Sequence, residues 1–480
     1  MKVKDKIILM VLCLSMLWAV PAWAADQLAK GVQYRSFERN NWEGKPIKGH
    51  ILEVDPGVKY TEIRPVMGNE VFGQRENLSK MAQRTGAIAA VNGGFFDMGS
   101  GVPLGNLIID GKPEYISDIL KTSFGFKTSG GLKLGYLAPK ITVELTGSSL
   151  LTTKGINVPA VNDGFVLYTH AWGKEVYASN CVVLKPTQNG FKAYAAAGGV
   201  KAPAGGYVLA GWGSSAGQLV GVAEGTKARV ITEMPEDWQN IRHVLTGSPM
   251  LVEGGLPVDQ AVNEGLWGSV LKYSPRTALG VTAQGKVLLV VVDGRQESSA
   301  GLTLEEMAYL MIDLGAVQAV GLDGGGSSEM WVKGKIVNNP SDKKERSLAN
   351  GLIILQQMPV YVNYQRLYLD VAPVLDNGRT LVPMRKIFER LGADIDWNAQ
   401  SQTVTATKGE VKIELTLGKT TAVVNGKNIK LDVPAKLVDG RTMVPMRFVG
   451  ETLGAKVNYV TTNGPAVHII SPEGGTADEQ

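Results

Sequence analysis

Apolar and polar residues alternate along the chain in a way that predicts many short strands and few helices. Between residues 31 and 67 the alternation is divided by turn signals such as Asp55-Pro56-Gly57, which is typical of antiparallel strands. Residues 78–84 have the pattern of a short helix, and residues 87–91 that of a strand of small residues. The glycine-rich segment 129–236 carries many short β-like runs. The pattern therefore favours a strand-rich fold.

The clearest elements lie between residues 287 and 322. Val287–Val292 is a continuous, mostly β-branched apolar run, which predicts a strand buried on both faces. Thr303 opens a helix whose apolar positions share one face, and Gly315 is placed to end it. Residues 317–322 predict a second strand. Strand, helix and strand at this spacing predict a βαβ unit with parallel strands joined by a right-handed crossover.

Polar residues follow both predicted strands, as expected of a binding site. Asp293 ends the first strand and is soon followed by Arg295, while Asp323 ends the second. Because ligands bind at the carboxyl ends of parallel strands in open sheets, we expect the two aspartates at the same edge. Asp-Gly is also ordinary turn chemistry, so Asp293 alone is equally well explained as a turn residue.

A glycine-rich turn follows Asp323. Its members are Gly324, Gly325, Gly326, Ser327 and Ser328. Successive backbone N–H groups in such a turn can form a concave nest for an oxyanion, and the two serine hydroxyls add donors. Three consecutive glycines lose much backbone entropy on folding, which favours the close approach of another group over a simple turn.

A second turn with candidate residues follows the predicted strand 87–91. Its polar and glycine residues are Asn92, Gly93, Gly94 and Asp97. The two glycines let the backbone turn close to another group. The alternative is a structural turn in which Phe95 and Phe96 form a hydrophobic plug.

Hydroxyl and arginine side chains mark two further segments. Thr246 and Ser248 place hydroxyls before a strand, and Arg276 begins a strand predicted to neighbour Val287–Val292. An arginine fork suits a pair of phosphoryl oxygens. A strand-end arginine can equally cover apolar surface.

Two charged residues near these segments have competing interpretations. Glu306 has the look of a catalytic carboxylate, but Thr303-x-x-Glu306 is also the spacing of a capping box. Arg346 lies in a polar loop from which it could reach the same site, although a solvated charge is the simpler reading.

The first residues indicate export. Three lysines precede an apolar run at residues 7–20, and Ala22-Trp23-Ala24 supplies a cleavage signal, so residues 1–24 are predicted to be a secretory signal peptide. Cys13 lies in this run without lipobox residues, which leaves Cys181 as the only cysteine after cleavage. No internal disulfide framework is therefore expected. We expect a secreted or cell-envelope-associated bacterial protein without a transmembrane segment in the mature chain.

Composition excludes several classes of function. The formal charge falls from +4 to +2 when residues 1–24 leave, and basic and acidic residues are interspersed, so nucleic acid is not an expected partner. The four histidines at 50, 170, 243 and 468 assemble no zinc spacing. The chain has no G-x-S-x-G motif, which disfavours a serine hydrolase.

Beyond residue 356 the chain contains an internal repeat. Asn377-Gly-Arg-Thr-Leu-Val-Pro-Met-Arg385 recurs 62 residues later as Asp439-Gly-Arg-Thr-Met-Val-Pro-Met-Arg447. Each copy is followed by a predicted short helix, and Pro383 and Pro445 lie where these helices would start. This segment resembles the copper amine oxidase N-terminal domain. Copper is not expected, because no histidine accompanies the methionines.

The site motifs, taken together, resemble the phosphodiester glycosidase family, whose animal member removes N-acetylglucosamine from the phosphodiester that covers mannose 6-phosphate on lysosomal enzymes. The resemblance runs from about Val32 to Leu355. It is carried by the order and spacing of residues 92–97, 246–252, 275–280, 292–295, 303–308 and 322–328, with Arg346. Residues 129–236 add little to it.

The resemblance implies hydrolysis of the glycosidic bond in a sugar 1-phosphodiester within a phosphorylated glycan. The implied catalytic residues are Asp97, Asp293, Asp323 and Glu306. The implied substrate-binding residues are Asn92, Gly93, Gly94, Thr246, Ser248, Arg276, Arg295, Gly324, Gly325, Gly326, Ser327, Ser328 and Arg346. The alternatives are a non-catalytic envelope-binding scaffold and a phosphodiesterase that cleaves the P–O bond. No cofactor is firmly implied; the aspartates could bind calcium or magnesium, but no EF-hand-like loop supports this.

The expected architecture is α+β. We predict a signal peptide at residues 1–24 and a strand-rich glycosidase domain with the βαβ unit at 25–357. A small α+β repeat domain at 358–472, which could contact the cell wall, and a disordered tail at 473–480 complete the chain. The sequence leaves open the sugar, the acceptor, the stereochemical course and the oligomeric state.

Overall fold

The structure is a computed structural model that describes residues 25–128, 130–147, 150–176, 180–195, 198–460 and 466–472. The predicted signal peptide and the predicted tail lie outside these ranges. Among the helices within them, none is both long enough and apolar enough to cross a bilayer. Strands greatly outnumber helices, so the broad α+β prediction holds.

The first sheet contains the strands that lead to the candidate site. In spatial order its strands are Asp26–Ala29, Val32–Asn40, Pro46–Val54, Val287–Val292, Arg276–Thr282, Ala316–Gly321, Met250–Glu253 and Leu256–Pro257. Arg276–Thr282 is antiparallel to both of its neighbours, Val287–Val292 and Ala316–Gly321. Those two strands consequently run in the same direction but do not touch, and the sheet is not the open parallel sheet assumed from the sequence.

Val287–Val292 is buried on both faces, as its composition predicts. Leu289 and Val291 pack into a core shared with the other large sheets, whereas Leu288 and Val290 pack under the helix Leu304–Asp313. All four are fully buried. Burial of each such side chain contributes about 1.5–3 kcal/mol, so this strand is among the most firmly held in the molecule.

The helix Leu304–Asp313 begins and ends where its sequence signals predict. The Thr303 side chain accepts a hydrogen bond from Glu306 N, while the Glu306 carboxylate accepts one from Thr303 N, which completes a capping box. Met307 and Met311 are buried against the sheet. Gly315 follows the helix with a φ of +91°, a conformation that favours glycine.

Three further sheets complete the part of the chain before residue 357. The second sheet has the order Leu132–Tyr136, Thr122–Lys127, Ile241–Thr246, Leu107–Ile109, Lys112–Tyr115. The third has the order Gly190–Ala195, Cys181–Thr187, Tyr207–Trp212, Gly164–Thr169, Leu150–Ile156, Lys140–Leu145, Ala228–Glu233. The fourth has the order Lys335–Ile336, Met330–Val332, Ala89–Asn92, Asn350–Gln356, Thr61–Met67. A short pair joins Glu76–Asn77 to Ser347–Leu348. The other α-helices in the described residues of this part are Leu78–Thr85 and Ser214–Val220.

After residue 357 the chain forms smaller sheets and two short helices. One sheet contains Gln365–Leu367, Val360–Val362, Ala466–Ile470 and Lys456–Val460. The next contains Val374–Asp376, Arg379–Pro383, Arg441–Pro445 and Lys436–Val438, and the last contains Asp394–Asn398, Thr403–Lys408, Val411–Thr416, Thr421–Val424 and Lys427–Lys430. The helices are Met384–Arg390 and Met446–Thr452, which start directly after Pro383 and Pro445.

A buried ion network joins the two parts of the chain. Arg366 pairs with Glu62 at 3.2 Å, and Tyr361 donates to Asp110 at 3.2 Å. Arg242 contacts the Tyr361 hydroxyl. The segment after residue 357 is thus docked on the strand-rich part by buried charges in addition to the covalent connection.

Candidate active site

A cavity of about 160 Å³ lies at one edge of the first sheet. Arg276–Thr282 starts at this edge, and Val287–Val292 and Ala316–Gly321 end there, because neighbouring strands are antiparallel. The sequence-predicted residues that line the cavity are Ser248, Arg276, Arg295, Asp323, Gly324, Gly325, Gly326 and Arg346. Segments far apart in sequence therefore converge on one space.

Arg276 is held rigidly in the cavity wall. Its Nε donates to the Leu302 carbonyl at 2.9 Å, and its Nη2 donates to the Val270 and Lys272 carbonyls at 2.7 and 2.6 Å. Only 5% of the residue is exposed. Burial, with the neighbouring Arg295 cation, lowers the pKa of Arg276 to about 10. Arg276 still carries its charge at neutral pH.

Arg276 and Arg295 carry positive charge that the protein does not neutralise directly. Arg295 donates to the Ser274 hydroxyl at 3.3 Å. Among the described residues, neither guanidinium forms an ion pair with a carboxylate, whereas Arg346 pairs with Asp342 at 2.7 Å. Two adjacent cations without counter-ions in a partly enclosed cavity are costly unless an anion binds there. The cavity has the electrostatics of an anion site.

The three consecutive glycines let the turn backbone lie directly against the arginines. A Cβ on Gly324 would lie 3.9 Å from Arg276 Nη1, and one on Gly325 would lie 3.2 Å from Arg295 Nη2. A Cβ on Gly326 would collide with Arg346 Nη2. Each glycine thus faces a different guanidinium, and any larger residue at Gly326 would displace its arginine.

Three of the five amide groups in the predicted nest donate to backbone carbonyls. Gly325 N donates to the Pro275 carbonyl at 2.9 Å, and Ser327 N and Ser328 N each donate to turn carbonyls at 3.2 Å. The bonds from Ser327 N and Ser328 N form because residues Gly325–Ser327 make a short 3₁₀ turn, whereas Gly325 N bonds to a neighbouring segment. The guanidinium groups are therefore the clearest anion donors of the cavity.

Asp323 is the carboxylate in the cavity lining. It is partly buried, and its backbone is fixed by bonds from Asp323 N to Gly93 O at 3.1 Å and from Asn92 Nδ2 to Asp323 O at 2.7 Å. Burial raises the pKa of Asp323 to about 6, against the opposing effects of the Ser327 hydroxyl and the Arg346 cation. A carboxyl group with such a pKa can accept a proton near neutral pH.

Ser248 adds an unused hydroxyl to the cavity. It is 1% exposed, and its Oγ has no hydrogen-bond partner among the described residues. Unpartnered buried hydroxyls are uncommon, because they lose the bonds they would make to water. A ligand oxygen in the cavity would supply the missing partner.

Asp293 does not line the cavity. Its carboxylate accepts bonds from Asn338 Nδ2 at 3.0 Å and from Asn339 N at 3.0 and 3.1 Å. Burial raises its pKa, and the residue is 4% exposed. Asp293 emerges at the predicted edge but anchors the loop that contains Asn338 and Asn339.

Glu306 also lies outside the cavity lining, and the capping-box interpretation is the one the structure supports. One carboxylate oxygen caps the helix, and the other accepts Trp42 N at 2.7 Å and the Tyr273 hydroxyl at 3.4 Å. The residue is 2% exposed. Both carboxylate oxygens of Glu306 therefore accept hydrogen bonds that hold the local structure.

The residues of the Asn92 turn hold chain segments together beside the cavity. Asn92 Oδ1 accepts bonds from the Thr277 hydroxyl at 2.7 Å and from Glu329 N at 3.1 Å. A Cβ on Gly93 or Gly94 would collide with neighbouring polar oxygens, so glycine is needed for this close packing. Asp97 is exposed, and its contact with Ser100 lowers its pKa.

Two of the remaining predicted hydroxyls, those of Thr246 and Ser327, make hydrogen bonds within the protein. Thr246 Oγ1 bonds Asn106 N and the Ser123 hydroxyl, each at 2.7 Å. Ser327 Oγ accepts a bond from Arg346 Nη1 at 3.3 Å. Ser328 is 1% exposed and does not line the cavity. Thr246 and Ser327 thus support the site from outside the cavity lining, whereas the Ser328 hydroxyl has no hydrogen-bond partner among the described residues.

Residues 173–355 match the family model described as phosphodiester glycosidase. The resemblance inferred from the sequence is confirmed. Residues 361–468 match the copper amine oxidase N-terminal domain, which confirms the second resemblance.

Individual relatives agree with these matches over parts of the chain. N-acetylglucosamine-1-phosphodiester alpha-N-acetylglucosaminidase of Mus musculus is 23% identical over 67% of this chain and 47% of its own length. Primary amine oxidase of Klebsiella aerogenes is 32% identical over 17% of this chain and 11% of its own length. The chain spans less than half the length of the curated relatives it matches.

A solved structure shares the fold. A hypothetical protein from Synechocystis superposes with a TM-score of 0.63 at 23% identity, over 71% of this chain and 64% of that one. At this level of identity the likeness concerns the fold alone.

The sequence did not indicate three residues that matter at the cavity. Phe95 and Ser274 line it, although neither was selected from the sequence. Glu329 is buried directly behind Arg346 and accepts Arg346 N at 2.5 Å. The sequence feature that could have indicated Glu329 is its position immediately after the Gly-Gly-Gly-Ser-Ser run.

One acidic cluster with metal-ligand spacing occurs among the described residues, away from the cavity. It consists of Glu62, Asp110 and His243. Arg64 and Arg242 pair with the same carboxylates, and burial lowers the pKa of His243. The surrounding arginines already balance the negative charge, so this cluster fits an ion network better than a metal site.

Proposed function

We propose that the protein is a hydrolase that cleaves the glycosidic bond of a sugar 1-phosphodiester, such as an N-acetylglucosamine 1-phosphodiester, in a phosphorylated glycan. The observation that carries the proposal is one cavity in which Asp323, with a pKa raised to about 6, lies beside two arginines that have no carboxylate partner. The family match supports the same reaction class.

In this proposal the arginines bind the phosphoryl oxygens and stabilise the leaving group. The bond between the anomeric carbon and the ester oxygen breaks, and its electron pair leaves with the phosphate. A phosphate monoester has a second pKa of about 6, so it departs without a general acid. Arg276 and Arg295 stabilise the charge that develops on it.

Among the described residues that line the cavity, Asp323 is the only one with a carboxylate. In this proposal it acts at the anomeric carbon. As a base it takes a proton from water, whose oxygen bonds to that carbon as the phosphate leaves. As a nucleophile it first bonds to the carbon and is then released by water. The anomer released first decides between the two, because one displacement inverts the configuration and two retain it.

Hydrolysis in ¹⁸O-labelled water tests the proposal against its alternatives. Label in the sugar supports glycosidic cleavage, whereas label in the phosphate supports cleavage of the P–O bond. No turnover across a panel of sugar phosphodiesters supports a non-catalytic envelope-binding scaffold. The substitution Asp323→Asn, made in the same chain, shows that any turnover belongs to this cavity.

We also propose secretion, a role at the cell envelope and contact with the cell wall through residues 358–472. Fractionation of the expressing cells tests secretion, and a pull-down with purified wall material tests the contact. Calcium or magnesium remains a proposed alternative aid to catalysis. Activity that survives a chelator, and does not rise when either ion is added, argues against it.

A further inference from the structure

Glu329 connects the glycine-rich turn to the segment that carries Arg346. The residue is fully buried. Its Oε1 accepts Arg346 N at 2.5 Å, and its own N–H donates to Asn92 Oδ1 at 3.1 Å. The second carboxyl oxygen, Oε2, has no hydrogen-bond partner among the described residues. Glu329 thereby fixes the backbone from which the Arg346 side chain reaches the cavity.

The surroundings of Glu329 disfavour a negative charge. Burial raises the pKa of Glu329 to about 8, against the effect of the bond from Arg346 N. The nearby anionic groups Glu345 and Asp342 raise it as well, and the Arg346 cation is the charge that lowers it. All three charged groups that act on it come from the segment 342–346. At pH 7 the carboxyl group is mostly protonated.

We propose that Glu329 is a positioning residue that holds Arg346 at the cavity, where the Arg346 guanidinium contributes to the binding of a dianion. The ligand class is a phosphate-like dianion, as released in the proposed reaction, so this inference deepens the proposed function. Glu329 itself does not line the cavity and acts through Arg346.

The proposal has a direct electrostatic consequence. Loss of the Glu329 proton would place a negative charge behind Arg346, where it competes with a bound anion for the same guanidinium. Anion binding should therefore weaken as the pH rises through about 8. By linkage, binding of an anion at that pH should take up a proton, because the bound state favours neutral Glu329.

Sulfate is a suitable probe because it stays doubly charged throughout the range of the experiment. Its affinity for the full chain is measured by calorimetry between pH 7 and pH 9. Asp323 titrates below this range and Arg276 above it. We expect affinity to fall about tenfold over the range in the unmodified protein, and to change less than about twofold in Glu329→Gln.

Glu345→Gln is the matched control, since it removes a carboxylate from the same segment. It should keep the fall in affinity but move it to lower pH, because Glu345 raises the pKa of Glu329. A fall that is unchanged in Glu329→Gln would overturn the proposal, as would a flat profile in the unmodified protein. If sulfate does not bind at any pH, the anion site itself, and with it the proposed function, is wrong.

A second measurement does not depend on how the variant folds. Sulfate binding to the unmodified protein at pH 8 is compared in buffers of different ionisation enthalpy, which reports the protons exchanged on binding. We expect net uptake of up to one proton per sulfate. Binding without proton uptake would contradict the proposed coupling between the Glu329 proton and the bound anion.

Discussion

Asp323→Asn should make the protein more stable and much less active. Burial raises the pKa of Asp323 from 3.8 to about 6. Each pKa unit corresponds to about 1.4 kcal/mol, so the ionised carboxylate costs the fold up to about 3 kcal/mol relative to the neutral form. Contact with the cavity solvent reduces this cost, and we expect a gain of about 1–3 kcal/mol from the isosteric neutral amide.

The sign of the pH dependence follows from the raised pKa. The folded state holds the Asp323 proton between about pH 4 and pH 6, where the unfolded chain has lost it. Ionisation of Asp323 therefore lowers the free energy of unfolding as the pH rises from about 4 to about 6. At pH 7 nearly the whole of this destabilisation is present. The stability advantage of Asp323→Asn should therefore be largest at pH 7 and vanish near pH 4.

Thermal unfolding and turnover are measured together on the same preparations. A gain of about 1–3 kcal/mol raises the Tm by about 1–4 °C for a domain of about 330 residues. Turnover of a sugar 1-phosphodiester should fall by about 10²–10⁴-fold, as expected when a base or nucleophile is lost. The unmodified protein should lose activity below about pH 6, where Asp323 is protonated.

Asp97→Asn is the matched control, because the pKa of this exposed aspartate is lowered by Ser100. It should not raise the Tm, and it should leave turnover unchanged. The reasoning is refuted if Asp323→Asn lowers the Tm at pH 7, or if it retains turnover while Asp97→Asn loses it.

Three further substitutions test other parts of the structure. Arg295→Gln should raise the KM for a sugar phosphodiester by about tenfold or more, because a cation without a carboxylate partner is removed; an unchanged KM would contradict the anion site. Glu306→Gln should weaken the capping box with Thr303 and lower the free energy of unfolding, measured with urea, by about 1 kcal/mol. Turnover should stay within about twofold of the unmodified protein. Abolished turnover would restore Glu306 as a catalytic candidate. Arg366→Met should lower the free energy of unfolding by about 1–3 kcal/mol, because buried Glu62 loses one cation but keeps Arg64 and Arg242. A loss below about 0.5 kcal/mol would show that Arg366 does not help to hold the two parts together.

Local pattern was sufficient to predict the elements around the site. The continuous apolar run at 287–292 became the buried strand Val287–Val292, and the Thr303 and Gly315 signals bounded the helix Leu304–Asp313. These predictions succeeded because burial on one or two faces imposes a repeat that is visible within a few residues.

The pairing of strands was a different matter. The spacing of strand, helix and strand indicated that the chain returns in the same direction, but not that Arg276–Thr282 lies between the two strands. The hydrogen-bond partners of a strand are set by competition among all strands of the sheet. The residues next to a strand in the sequence do not indicate which partner it takes.

The site shows the same division. The sequence determined which segments end at the strand ends and that three glycines allow another group to approach closely. The lining of one cavity does contain the predicted residues Arg276, Arg295, Asp323 and Arg346. Only the tertiary structure decided that the approaching groups are guanidiniums and that three of the turn amides bond to backbone carbonyls. It also decided that Asp293 binds Asn338 instead of facing the cavity. The physical reason is that the role of a polar side chain depends on partners brought from distant segments, whereas its place in a strand or helix depends mainly on its neighbours in the sequence.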